Sequence, residues 1–150
     1  RKAPLAVLMS SPDEIENAFY ESLQSADLDR MASLWVQDEL VRCIHPGGPL
    51  LVGLSPGVSS FEALFARRPV AVHPADVKKL ETEQLVIHQV HERVLVPQRE
   101  GEGSGEQVAW VLATNAYLKT PEGWRMVLHH ASPGMPREIQ EIAEAPSTLH

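Results

Sequence analysis

The chain has 150 residues, of which 43% are hydrophobic and 22% are charged, and its formal net charge is -7. This length fits one domain that needs no disulfide or metal to fold, and this composition excludes a disordered chain. The 13 basic residues are scattered, which argues against nucleic acid as a partner. The longest apolar run, residues 4–9, is too short to cross a membrane. Cys43 is the single cysteine, which fits a reducing compartment, so we expect a cytoplasmic protein.

The first predicted element is an amphipathic helix that begins after Ser11. A capping serine, a proline at the first helical position and acidic residues in the first turn are typical of a helix start. Apolar residues then recur at three- and four-residue spacing, and the acids between them are expected on the solvent face. The apolar positions are Ile15, Phe19 and Leu23, and the acids are Glu14, Glu16 and Glu21.

Two further helices and a short hairpin are expected before residue 70. Residues 28–35 carry a second apolar stripe behind the Asp27 cap and form a helical hairpin with the first helix. From Val41 the period changes to two, which predicts a strand with Val41, Cys43 and His45 on one side. A return strand is predicted over 50–53, and a third helix over 61–68, capped by Ser59 and Ser60.

The rest of the chain is predicted to be mostly long antiparallel strands, over 76–81, 85–98, 107–120 and 123–131. A short helix is expected over 136–145, where a proline precedes two isoleucines three positions apart. The pattern predicts a single domain over 1–150, with a core at about 11–134 and a C-terminal extension over 135–150.

Three motifs in this order of elements resemble the nuclear-transport-factor-like and SnoaL-like superfamily. The first is Ala26-Asp27-Leu28 followed by Leu34-Trp35. The second is the hairpin over 41–53 with His45-Pro46-Gly47-Gly48-Pro49, and it is similar to SnoaL-like domains. The third is Trp124-Arg125-Met126-Val127 leading into His129-His130-Ala131-Ser132, and it is similar to the last strand of the association domain of calmodulin-dependent protein kinase II. The resemblance implies an α+β, cone-shaped cystatin-like fold, with three N-terminal helices packed on a highly curved, mixed but mostly antiparallel sheet.

The resemblance also suggests where a reaction would take place. Ketosteroid isomerases of this fold use a tyrosine on the first helix, an aspartate base near the first strand and a later oxyanion donor. By motif these positions hold Phe19, His45 and Asn115, with Cys43 as the other candidate for the base. Tyr20 is one residue from the first position, about 100° round the helix, so the phenol donor is expected to be missing. A neutral histidine is able to act as a base, and an amide is able to donate to an oxyanion.

Two titratable groups stand in an otherwise apolar row on the strand over 85–98. His88 and Glu92 share a face with four valines. If that face lines the cone, burial raises the pKa of Glu92 and makes it a general acid or base. The alternative is a structural hydrogen bond or ion pair from Glu92 to a histidine or arginine on an adjacent strand. On the last strand, strict alternation places His130 on one face with Trp124 and Met126, so His130 is the third candidate for proton transfer.

The candidate catalytic residues are thus His45, Glu92, Asn115 and His130, and the expected pocket-lining residues are Phe19, Tyr20, Trp35, Cys43, His88 and Tyr117. Structural alternatives stay open for several of them. His45 would instead bond a carbonyl of the glycine turn, Asn115 would bond neighbouring backbone, and the tryptophans would be core anchors. We predict no metal and no cofactor, because residues four apart on a strand are about 13 Å apart and cannot chelate one ion.

Two functions compete on these observations. The first is a homodimeric protein that binds a small apolar or amphipathic molecule and is an isomerase, lyase or hydrolase by acid–base chemistry. The second is a non-catalytic oligomerisation or association module whose polar groups are structural. An open cavity above about 300 Å³ favours the first, and a closed, filled interior favours the second.

Overall fold

The computed structural model describes residues 10–97 and 106–135, which form three helices and six strands. The order is α1 (Pro12–Ser25), α2 (Leu28–Ser33), β1 (Arg42–Ile44), β2 (Leu51–Val52), α3 (Leu54–Arg67), β3 (Val72–Glu81), β4 (Leu85–Pro97), β5 (Glu106–Thr120) and β6 (Gly123–Pro133). The α+β class and the three helices on a mixed sheet are confirmed. The helix expected over 136–145 lies outside the described residues.

The six strands form one sheet in the order β2-β1-β6-β5-β4-β3. All neighbouring pairs are antiparallel except β1 with β6, which is parallel. Register shifts in the β3–β4 and β5–β6 pairs mark β-bulges, which bend and twist a sheet more strongly than regular pairing does. The sheet therefore has a concave face, and the helices pack on it.

The start of α1 follows from its sequence, as predicted. The Ser11 hydroxyl accepts from the Glu14 N–H while the Glu14 carboxylate accepts from the Ser11 N–H, so the two residues form a capping box. Phe19 from this helix meets Trp35 and Phe61 in edge-to-face ring contacts, and these two rings are tilted against each other. These three rings form the centre of the core between the helices and the sheet.

The third helix begins earlier than predicted. It begins after Gly53, whose φ of 100° favours glycine, and Pro56 lies in its first turn, where the ring is tolerated. Ser60 is therefore inside the helix and donates to the Gly57 carbonyl instead of capping a new one. Residues 54–67 form two turns more than expected, and these turns cover the concave face beside β1.

The predicted strands are confirmed with shifted ends. β3 begins at Val72 rather than at residue 76, and it includes Pro74 because it is an edge strand, where a missing N–H costs no ladder hydrogen bond. β2 is only two residues long, and residue 98, the expected end of β4, lies outside the described residues. In the described part of the chain, no helix is long and apolar enough to span a bilayer.

Candidate active site

A cavity of about 680 Å³ lies between α3 and the concave face of the sheet. Most of its wall is made of leucine, valine, alanine and phenylalanine side chains. The polar groups in the wall are His45, Ser60, Arg67, Glu92 and His129. A volume of this size, mostly apolar with a few polar groups, is typical of a small-molecule site.

Glu92 is the carboxylate in the described cavity wall, and Tyr20, which does not line the cavity, forms a hydrogen bond with it. The Tyr20 hydroxyl donates to Glu92 Oε2 at 2.7 Å, and both side chains are almost fully buried. Burial raises the pKa of Glu92 to about 7, the Tyr20 hydrogen bond opposes that rise, and the charge of Glu16 adds to it. Burial also raises the pKa of Tyr20, with Glu92 contributing, so the phenol stays protonated. Glu92 thus changes its protonation state near neutral pH, as a general base or acid requires.

Glu16, on α1, accepts three hydrogen bonds on one oxygen. The Tyr117 hydroxyl lies 2.6 Å from Oε2, His88 Nδ1 lies 2.9 Å away and Asn115 Nδ2 lies 3.3 Å away. All four side chains are buried. Because the carboxylate oxygen is the acceptor in this hydrogen bond, His88 Nδ1 is the donor. One helix residue thereby satisfies these three buried donors on β4 and β5.

Asn115 links this buried cluster to the cavity wall. Its amide nitrogen lies 3.1 Å from the Tyr20 hydroxyl, and its Oδ1 lies 2.6 Å from His129 Nδ1. Burial, with smaller contributions from charge on His45 and His130, lowers the pKa of His129 to about 3. His129 is therefore neutral, and because Nδ1–H donates to Asn115, Nε2 carries the lone pair. A cavity-lining imidazole is fixed as a hydrogen-bond acceptor and weak base.

His45 is held by α3, and its ring lies 6.2 Å from the ring of His129. Its Nε2 lies 2.9 Å from the Ser60 hydroxyl, which itself donates to the Gly57 carbonyl. The imidazole is therefore the donor to Ser60 Oγ, and Nδ1 carries the lone pair. Burial lowers the pKa of His45. Cys43 lies beneath it, with Sγ 3.6 Å from Nε2, and burial raises the pKa of this thiol to about 11, so it is not a reactive thiolate.

The structure brings together most of the predicted site residues, but at different depths. His45 and Glu92 line the cavity. Asn115, His88 and Tyr117 lie behind the wall in the hydrogen-bonded cluster, as does Tyr20, which supplies the phenol that the resemblance implied was missing. Three expected pocket residues are packed in the core instead: Phe19, Trp35 and Cys43. The structural alternatives for His45 and Asn115 are not realised, since both side chains bond other side chains. Glu92 likewise bonds a helix residue and not an adjacent strand.

The placement of His130 was predicted wrongly, because β6 contains a bulge. Met126 pairs with Tyr117 and Leu128 pairs with Ala116, so Val127 is an extra residue that reverses the alternation. His129 consequently turns inward and is buried, whereas His130 is exposed on the other face. His129 therefore occupies the inward-facing position that strict alternation predicted for His130.

Four site residues were missed by the sequence reasoning. Glu16 was expected on the solvent face of α1, yet it is 6% exposed and points at the sheet. A carboxylate aligned with the helix face that opposes His88 and Asn115 was the available signal. Ser60 was interpreted as a helix cap. His129 was missed because the bulge shifts the alternation of β6 by one residue, and no sequence pattern distinguishes Arg67. Among the described residues, no group of three or more potential metal ligands converges.

Comparison with solved structures confirms the fold and shows relatives over most of the chain. A candidate calcium/calmodulin-dependent protein kinase type II association domain from Thiobacillus denitrificans is 32% identical, with a TM-score of 0.72 over 85% of this chain and 98% of that chain. A candidate dehydratase of the NTF2-like family from Streptomyces avermitilis is 27% identical, with a TM-score of 0.71 over 82% of this chain and 93% of that chain. A candidate ketosteroid isomerase from Shewanella frigidimarina shares the fold at 16% identity and a TM-score of 0.65, over 83% of this chain and 97% of that chain.

No curated protein matches the sequence significantly. The model of the SnoaL-like domain matches residues 13–137, a range that begins at the second residue of α1 and includes every later element described above. The matched range and the 32% identical relative show that the similarity covers most of the chain and is not confined to the three local motifs. The chain belongs to the SnoaL-like domain family.

Proposed function

We propose that this protein is an acid–base enzyme that binds a small, mostly apolar molecule and transfers a proton through Glu92. The observation that carries the proposal is the position of this carboxyl group. It is buried, it forms part of the wall of a 680 Å³ cavity, and its pKa is raised to about 7. Of the reactions open to such a group, elimination of water is favoured by the similarity to a candidate dehydratase.

Glu92, Tyr20 and His129 each have a defined part in this reaction. Glu92 Oε2 is occupied by Tyr20, so Oε1 would take the proton from a carbon next to a substrate carbonyl. The electron pair left on carbon forms the double bond as the β-hydroxyl leaves, and the proton on Glu92 is returned to that hydroxyl as water. His129 Nε2 would accept a hydrogen bond from a substrate O–H or N–H. Return of the proton to a different carbon would give an isomerisation by the same first step.

The test is solvent exchange combined with elimination, followed by NMR in D₂O. The probes are β-hydroxy ketones and β-hydroxy esters with apolar substituents. We expect deuterium at the carbon next to the carbonyl and formation of the unsaturated product. Glu92→Gln is expected to lower the rate by about 100- to 10,000-fold, the usual contribution of a general base.

Matched variants separate chemistry from folding in this assay. Glu81→Gln removes an exposed carboxylate from β3 and is expected to leave the rate unchanged. His129→Gln is expected to slow the reaction, whereas His130→Gln is not. The proposal would be refuted if no probe showed exchange or elimination, or if Glu92→Gln kept the wild-type rate.

The 32% identical relative named for an association domain supports a second candidate, a module that assembles copies of the chain. A homodimer remains our expectation under both candidates. Sedimentation velocity of the purified protein tests this second function. A monomer across the accessible concentration range contradicts it, and an assembly that Glu92→Gln leaves intact would show that self-association is independent of the cavity.

A further inference from the structure

The end of the cavity near the C-terminus of α3 is basic, although the chain as a whole is acidic. Arg67 lines the 680 Å³ cavity and also a neighbouring cavity of about 440 Å³, and the next residue, Arg68, lines only the second one. Both arginines are exposed. Neither guanidinium forms an ion pair or a side-chain hydrogen bond with any residue in 10–97 or 106–135.

One carboxylate lies in the described walls of these cavities, and it forms no ion pair with either arginine. Among the described residues that line either cavity, Glu92 is the one carboxylate. Arg67 is therefore an unpaired positive charge in the described wall, in a chain whose formal net charge is -7. An exposed guanidinium beside an apolar cavity is suited to an anion joined to an apolar body.

The spacing along α3 gives the length of that ligand. Ser60 and Arg67 both line the cavity and are seven residues apart, which is about 10 Å along a helix. Ser60 bonds His45, so α3 runs about 10 Å from the residue that holds His45 to Arg67. Between these ends, α3 presents Phe61 and Leu64, which are apolar.

We propose that the ligand is an amphipathic carboxylic acid whose carboxylate binds Arg67 and whose apolar body lies against Phe61 and Leu64. In this orientation the part of the molecule remote from the carboxylate reaches His45 and His129. Any reaction of the bound acid at Glu92 rests on the proposed function, whereas binding of the carboxylate by Arg67 does not. A carboxylate is favoured over a dianion because Arg67 is the one basic side chain other than histidine in the described wall of this cavity, and its single positive charge matches a monoanion.

The experiment compares acids with their neutral amides by isothermal titration calorimetry. The probes are phenylbutyrate with phenylbutanamide and octanoate with octanamide. We expect the wild type to bind each acid roughly tenfold more tightly than its amide, as one charge-assisted bidentate contact would give. Arg67→Gln should weaken acid binding to the level of the amide without changing the amide. Arg68→Gln, which alters the adjacent charge, serves as the matched control and should retain most of the preference.

The outcomes distinguish this inference from the proposed function. Equal binding of acids and amides, or a preference that persists in Arg67→Gln, would show that Arg67 does not select the carboxylate, while leaving the Glu92 chemistry intact. Failure of every probe to bind at millimolar concentration would also overturn the inference. If Glu92→Gln binds the acids normally but the exchange assay shows no reaction in the wild type, the acid site survives and the catalytic proposal fails.

Discussion

Tyr20 and Glu92 are 72 positions apart in sequence and meet in a buried hydrogen bond of 2.7 Å. The bond joins α1 to β4 and holds one oxygen of the cavity carboxylate in place. It also acts on the acidity of that carboxylate, because a donated hydrogen bond stabilises the charged form while burial destabilises it. The pKa of about 7 results from these opposing effects.

Tyr20→Phe should therefore raise the pKa of Glu92 above about 7. The substitution keeps the ring and removes the hydrogen bond that lowers the pKa. The measurement is a titration of the Glu92 side chain by NMR with selectively labelled glutamate. Tyr117→Phe is the control, because Tyr117 bonds Glu16 instead. An unchanged or lowered Glu92 pKa in Tyr20→Phe would show that the hydrogen bond does not set its acidity.

Two buried groups should make stability depend on pH in opposite directions. The pKa of Glu92 is raised from 4.5 to about 7, so the folded state binds a proton at Glu92 more tightly than the unfolded state does. The contribution of this proton to the free energy of unfolding is complete below about pH 4.5 and is lost as pH rises to about 7. The pKa of His129 is lowered from 6.5 to about 3, so its contribution is lost as pH falls from about 6.5 to 3. Each shift corresponds to several kcal/mol in full, and the two slopes oppose each other between pH 4.5 and 6.5.

Urea denaturation at a series of pH values tests this opposition. Glu92→Gln should remove the loss of stability between pH 4.5 and 7 and leave a curve that rises with pH. His129→Asn should remove the loss at acid pH. The difference between the wild type and each variant isolates one group from all other titrations. Parallel curves for the wild type and Glu92→Gln would contradict the raised pKa.

Removal of the Glu16 carboxylate should destabilise the fold by about 3–5 kcal/mol. Glu16→Ala leaves three buried donors on His88, Asn115 and Tyr117 without their acceptor, and the cost of such groups exceeds that of losing an exposed pair. Glu21→Ala, on the same helix, breaks an exposed ion pair with Arg30 and should cost less than about 1 kcal/mol. Similar denaturation midpoints for the two variants would show that the Glu16 cluster does not stabilise the fold.

Cys43 should resist alkylation while the protein is folded. It is 0% exposed, and burial raises its pKa to about 11, so the reactive thiolate is scarce at pH 8. Iodoacetamide labelling followed by mass spectrometry should show little modification in buffer and complete modification in urea. Rapid labelling of the folded protein would indicate that the β1 region opens, since the reagent needs both access and a thiolate.

Local periodicity predicted the elements that follow a single regular pattern. The alternation on β4 correctly placed His88 and Glu92 on the inner face with the valines, because a regular strand repeats every two residues. The same rule failed on β6, where Val127 adds a residue and shifts the phase. A bulge of this kind leaves no reliable mark in the sequence.

The hydrogen-bonded cluster could not be predicted from local patterns. Glu16 is acidic and lies among helix positions that also hold exposed acids, so a rule that places charges outside puts it in solvent. What buries it is a set of partners some 70 to 100 positions away, on β4 and β5. Pairing of a buried charge depends on tertiary contacts, and the helix sequence alone does not contain them.

The extra residue in β6 also affects how the cavity wall tolerates change during evolution. The two positions after Leu128 both hold histidine, and the bulge decides which of them faces inward. If the extra residue moved beyond this pair, residue 130 would turn inward and still present an imidazole. With two adjacent histidines, the cavity wall keeps an inward imidazole whether the bulge lies before or after the pair.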